Sequence, residues 1–198
     1  MFTFTRRLLL SSMAVLALAA CSPEKPKFNG IDITGADYAK GFTLTDHNGQ
    51  RRNLSDFKGK VVVLFFGYTQ CPDVCPTSMS ELAEVKRLLG ADADKLQGVF
   101  VTVDPARDTT ELLKAYMTNF DPTFVAFVPT TDELADVAKH FKIYYKKQEG
   151  KTPTSYTMDH SAGSYVFDTQ GHVRLYSRYG SGAQVLAQDI QTLLKTTP

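Results

Sequence analysis

The longest unbroken apolar run outside the N-terminal region is VVVLFF at 61–66, in which every residue is β-branched, leucine or aromatic. A run without alternation predicts a strand buried on both faces, hence a central one. LQGVFVTV (96–103) and FVAFV (124–128) predict two further strands, and helical patterns separate the three. Met79, Leu82, Val85 and Leu89 recur at helical spacing and predict a core-facing stripe closed by Gly90. The start of that helix is expected at Pro76 with Cys75 as N-cap. Proline suits the first helical position, and a start one turn earlier at Pro72 would delete a hydrogen bond. Three later helices carry capping-box spacings: Asp108 with Glu111, Thr130 with Glu133 ahead of DELADVAKHF, and Ser181 with Gln184 for a last helix reaching about Leu194.

Alternating segments flank these elements. FTLTDHNGQRRNL predicts a hairpin turning at Asn48-Gly49, IYYKKQEGKTPTSYTM one turning near Gly150, and SYVFD with HVRLY one turning at Gln170-Gly171. His47 is then a solvated turn residue, His140 a partner of its helix dipole, and His172 a surface residue. Strands alternating with helices in the first half give a parallel core, and the closing hairpin and helix give strand, strand, helix. The expected fold is α/β and thioredoxin-like: a central mixed sheet flanked by helices, with an N-terminal hairpin and a hairpin inserted before the last strands. No repeat or second boundary interrupts residues 41–198, which form one domain.

Composition places the chain among ordinary globular proteins, with 43% apolar residues over 198 and a formal charge of +1. No basic excess points to a nucleic-acid partner. Residues 1–20 differ: Arg6 and Arg7 precede the thirteen-residue stretch LLLSSMAVLALAA. That is short of the roughly 20 apolar residues a spanning helix needs, and it reads as an export signal. LAAC, ending at Cys21, resembles the lipobox of bacterial lipoproteins, in which the cysteine is acylated and anchors the mature chain to a membrane. Ordinary secretory cleavage, leaving Cys21 free, is the alternative. Residues 21–40 lack periodicity and read as a membrane-proximal tether.

With Cys21 lipidated, Cys71 and Cys75 in CPDVCP are the only remaining thiols. Three intervening residues match neither the redox CxxC nor a paired zinc knuckle. The pair sits where a helix N-terminus favours anions, so a lowered pKa is expected, at Cys75 especially. Three chemistries are open. A static disulfide would close too short a loop to stabilise much. A thiol-disulfide oxidoreductase would use one thiol to attack and the other to resolve, yet SYTMDHSAG lacks the proline thioredoxins carry before the equivalent strand. A metal site needs a third donor, and His160, just before SYVFD, is placed for it. Two thiolates and an imidazole suit copper, whereas zinc wants a fourth ligand. Met158, two residues earlier, is expected to pack.

FFGYTQCPDVCP, VTVDPARDT and YTMDHSAGSYVFD, in this order and spacing, closely resemble the Sco/SenC family of copper-binding proteins over about residues 40–195. The resemblance implies a membrane-attached thioredoxin-like domain holding one copper ion, Cu(I) or Cu(II), through Cys71, Cys75 and His160. It also implies a role in assembling the dinuclear copper site of cytochrome c oxidase subunit II, either by handing over copper or by reducing the target cysteines. A thioredoxin-like reductant is then needed, and another copper carrier is a candidate partner. Asp104, in VTVDP, matches a family position expected behind the metal loop, orienting a ligand.

Overall fold

The computed structural model describes residues 26–152 and 155–197; the expected export signal over 1–20 and Cys21 lie outside them. The VVVLFF run forms β4 (Val61–Gly67), and every residue of it is buried. To one side lie β5 (Leu96–Thr102) and β6 (Val125–Phe127), paired in parallel. To the other lie β9 (Ser164–Phe167), β10 (Val173–Ser177) and a short β1 (Ile31–Asp32), all antiparallel. The six-stranded order is β1-β10-β9-β4-β5-β6, the mixed sheet the sequence predicts. Helices α1 (Val74–Leu88), α2 (Thr110–Thr118), α3 (Thr131–Phe141) and α4 (Ala183–Thr196) flank it, with α1 packed on α4 and α2 on β6. Met79, Leu82, Val85 and Leu89 are buried as the stripe requires, and Gly90 turns the chain at φ +55°. Among the described residues no helix is long and apolar enough to cross a membrane.

The N-terminal hairpin pairs β2 (Thr43–Thr45) with β3 (Arg51–Asn53). Its turn is not free in solvent, as expected for His47, but stitched to the β6 edge. The His47 N–H donates to the Ala126 carbonyl, and the Ala126 N–H donates to His47 Nδ1 at 3.0 Å. An imidazole accepting at Nδ1 is neutral, and burial lowers its pKa accordingly. The hairpin thereby covers an edge that would otherwise present unpaired backbone groups.

Part of the stretch expected to be a tether is attached to the domain. Buried Asp189 on α4 accepts hydrogen bonds from the backbone N–H groups of Asn29 and Gly30 and from the Asn29 side chain. Ala39 is fully buried, and its N–H donates to the His140 carbonyl. A two-residue strand is too short to show a period, so this attachment leaves no trace in the hydropathy pattern. The last helix also starts differently: the Ser181 hydroxyl is spent on the Arg178 carbonyl, and Gly182, at φ +91°, takes the N-cap position.

The inserted hairpin, β7 (Tyr145–Glu149) with β8 (Tyr156–His160), forms a two-stranded sheet of its own. Its last residue is His160, and β4 ends beside the CxxxC loop, so the two pieces of the candidate site arrive from separate sheets.

Candidate metal centre

The site begins where β4 stops. A Cβ on Gly67 would lie 2.8 Å from Cys75 Sγ, 2.8 Å from the Phe65 ring and 2.9 Å from the Phe100 ring, so only glycine lets the buried sulfur lie against the strand end. The chain then loops through Tyr68, Thr69 and Gln70 to Cys71 and enters α1 at Val74 with Asp73 as N-cap. This start is two residues earlier than expected. Pro76 is the third helical residue, and the first amide nitrogens of a helix have no partner inside it, so a proline there costs no hydrogen bond.

This shift changes which cysteine carries the charge. The Cys75 N–H, in the first helical turn, points back at Cys71 Sγ, 3.4 Å away. Cys71 is half-buried and Cys75 fully buried. The Cys71 pKa is pushed well down by the hydrogen bond from the Cys75 thiol, helped by the N–H groups of Asp73 and Cys75. The Cys75 pKa is pushed up by that same bond, in which it is the proton holder, and by burial. The thiolate therefore belongs to Cys71, the reverse of the sequence expectation. At pH 6, iodoacetamide is expected to alkylate Cys71 in the reduced, metal-free protein and to spare Cys75. Equal labelling by peptide mass mapping would overturn this polarity.

His160 closes the triangle. Its Nε2 stands 3.4 Å from Cys75 Sγ, and its Nδ1 lies 2.9 Å from the Ser161 carbonyl. A carbonyl only accepts, so Nδ1 carries the hydrogen and Nε2 presents its lone pair to the sulfurs. The ring stands edge-on to Phe65 and Tyr68, at 5.9 Å from each centroid. The donor atoms of Cys71, Cys75 and His160 all lie within 4.8 Å of one another. A metal about 2.0–2.3 Å from each donor holds them roughly 3.5–4 Å apart, so small side-chain adjustments close the site. Two sulfurs and one imidazole fit copper, and no disulfide joins Cys71 to Cys75 here. Met158 shares the His160 face of β8 and packs against the core.

The carboxylates behind the site divide their work. Asp108 does not cap α2, whose N-cap is Thr109. It is fully buried and accepts from the Thr69 N–H, the Thr69 hydroxyl and the Thr102 hydroxyl, which ties the loop ahead of Cys71 to β5. Burial raises its pKa. Asp104 makes no hydrogen bond to a sulfur or to the imidazole among the described residues. It accepts from Arg107 Nε and, at 2.8 Å, from the Tyr156 hydroxyl, and reaches the site through them. Sequence reasoning passed over Gly67, Arg107 and Tyr156. A glycine ending an otherwise β-branched and aromatic strand is a readable sign of close approach; Arg107 and Tyr156 carry no such sign.

The SCO1/SenC family model matches residues 32–195, from β1 to the last turn of α4. The chain belongs to the SCO1/SenC family. A SCO2-like protein of Rickettsia conorii is 35% identical over 159 residues, which cover 79% of this chain and 78% of that one. Among solved structures, Bradyrhizobium japonicum ScoI with copper bound superposes with a TM-score of 0.70 at 40% identity, covering 77% of this chain and 97% of that one. Yeast Sco1 with copper bound gives 0.72 at 26% identity, covering 87% and 91%. Both solved family members carry the metal that the Cys71, Cys75 and His160 donors suit.

Proposed function

We propose that this protein is a copper carrier of the cell envelope, binding one copper ion as cargo through Cys71, Cys75 and His160 for assembly of the dinuclear copper site of cytochrome c oxidase subunit II. The observation that carries the reading is the set of three donor atoms within 4.8 Å, brought from two separate sheets, with Nε2 free and Nδ1 tied away. The export-signal pattern over 1–20 and the lipobox-like LAAC support an anchor at Cys21, and with it a domain held on a membrane and facing the periplasm. Family membership supports the oxidase target, and another copper carrier is the natural donor of the ion.

A disulfide between Cys71 and Cys75 has no thiolate to offer, so loading requires the reduced pair, and an oxidising periplasm calls for a thioredoxin-like reductant. The test is a Cu(II) titration of the full chain in detergent, reduced and oxidised, followed by visible absorption. The reduced protein is expected to develop intense thiolate-to-copper absorption saturating at one equivalent, and the oxidised protein none. Thiol oxidation without a stable coloured complex would overturn the carrier reading.

That outcome would favour a second reading, which the polarity of the pair supports. Half-buried Cys71 as thiolate would attack a substrate disulfide, releasing one substrate thiolate and forming a mixed disulfide. Buried Cys75 would then displace the second substrate sulfur and close the internal disulfide. Disulfide turnover that survives His160→Ala separates this reading from the carrier.

A further inference from the structure

His160 stands at the end of a ribbon that, among the described residues, no strand pairing fastens to the main sheet. The β7–β8 register runs unbroken from Tyr145–His160 to Glu149–Tyr156, so the ribbon moves as a unit, and whatever docks it decides where the imidazole stands. At its base the Ser161 N–H donates to the Tyr144 carbonyl, and the Tyr144 N–H to Ser161 Oγ. These bonds close the ribbon on itself. Met158 and Tyr145 pack against the core and the His160 ring lies against Phe65 and Tyr68, while the polar docking contacts lie four residues before His160, at Tyr156. The Tyr156 carbonyl accepts from Arg107 Nη1 at 2.9 Å, and its hydroxyl donates to Asp104. The Arg107 guanidinium lies 3.5 Å from the centroid of the Tyr156 ring. The same Nη1 reaches Gln70 Oε1 at 3.0 Å, beside Cys71, and Nε is held by Asp104.

We propose that Arg107 is a positioning residue, a clasp that docks the β7–β8 ribbon against the CxxxC loop and so sets whether His160 stands over the two sulfurs. The proposal rests on the reading of Cys71, Cys75 and His160 as ligands. One side chain links three segments: the ribbon, the turn at Asp104 and the loop before Cys71. Among the described residues the remaining nitrogen, Nη2, is buried and makes no hydrogen bond, so the clasp works through Nε, Nη1 and the guanidinium face. A clasp of this kind lets the imidazole leave while both sulfurs keep the ion, which is a route to handing the cargo over.

The test uses the full chain, reduced, in detergent. Without metal, Arg107→Ala is expected to speed hydrogen exchange of the β7–β8 amides by about tenfold or more while leaving β4 and β5 unchanged. With copper, the affinity is expected to fall about tenfold, with the thiolate absorption kept and the imidazole nitrogen coupling weakened in electron paramagnetic resonance. Tyr156→Phe, which keeps the ring and the carbonyl, is expected to move both readouts the same way by less, and it decides the matter if Arg107→Ala does not fold. In a His160→Ala background, Arg107→Ala is expected to change copper affinity no further, because its effect runs through the imidazole. Unchanged exchange, or an equal loss of affinity with and without His160, would overturn the clasp. Failure of the wild type to bind copper would instead remove the ligand reading and, with it, the link to cargo release, while exchange would still report whether Arg107 docks the ribbon.

Discussion

Replacing either Cys71 or Cys75 by serine is expected to weaken copper retention by at least about a thousandfold, and replacing His160 by alanine by about ten- to a hundredfold. The ordering follows from donor softness. A serine hydroxyl is a hard donor that stays protonated at neutral pH, so each cysteine variant loses a charged, soft ligand, whereas the histidine variant keeps both. Three decades correspond to about 4 kcal/mol. The fold should survive Cys75→Ser even though the position is fully buried, because the hydroxyl is smaller than the thiol and His160 Nε2, 3.4 Å from the present sulfur, can accept its hydrogen bond. Competition against a chelator of known affinity reads the series directly. A Cys75→Ser protein within tenfold of the wild type would mean that the buried sulfur is a core residue and no ligand.

Much of the scaffold behind this site was legible because its signals are local. VVVLFF needed only its own composition to be read as a central strand, and it is buried throughout. The turns at Asn48-Gly49 and Gln170-Gly171 were readable because Gly49, at φ +76°, and Gly171, at φ +84°, adopt conformations that favour glycine. Thr130 and Glu133 cap α3 reciprocally, as their spacing predicts. The cysteine pair stood out by spacing and by its place after a central strand. His160, eighty-five residues beyond Cys75, was a candidate because of where the fold puts its loop and because of the family resemblance.

What escaped the sequence was decided by side-chain partners far along the chain or by small shifts at helix ends. Asp108 has the spacing of a cap, but its hydrogen bonds go to Thr69, thirty-nine residues back, and to Thr102. Arg107 bonds to Gln70 and Tyr156, thirty-seven and forty-nine residues away, and nothing in DPARD marks it apart from other surface arginines. The polarity of the cysteines turned on a two-residue difference in where α1 starts. With Cys75 inside the first turn, its amide points at Cys71, and the benefit of the helix terminus passes to that sulfur. No hydropathy pattern separates these alternatives, because both leave the same apolar face on the core.

Gly67→Ala is expected to cost about 1–3 kcal/mol of stability and to impair copper binding together, whereas Gly98→Ala is expected to cost a similar amount and leave copper binding intact. Both glycines sit in central strands against aromatic rings. At Gly98 the added carbon would lie 2.6 Å from the buried Phe124 ring, on the side of the sheet served by β6. At Gly67 it would strike Cys75 Sγ, Phe65 and Phe100 at once, all of them buried. The rings of Phe65 and Phe100 already pack at 6.1 Å, and Phe65 also backs the His160 imidazole, so relief on the aromatic side displaces the third ligand while relief on the sulfur side displaces the second. Either way the donor triangle opens. For a domain of this size the stability loss corresponds to a melting temperature lower by roughly 2–12 °C in both variants. Copper affinity measured well below melting then separates the two substitutions. Equal affinities would mean that the close approach of Cys75 to the strand end serves packing alone; a selective loss in Gly67→Ala would show that this glycine sets the position of the buried sulfur.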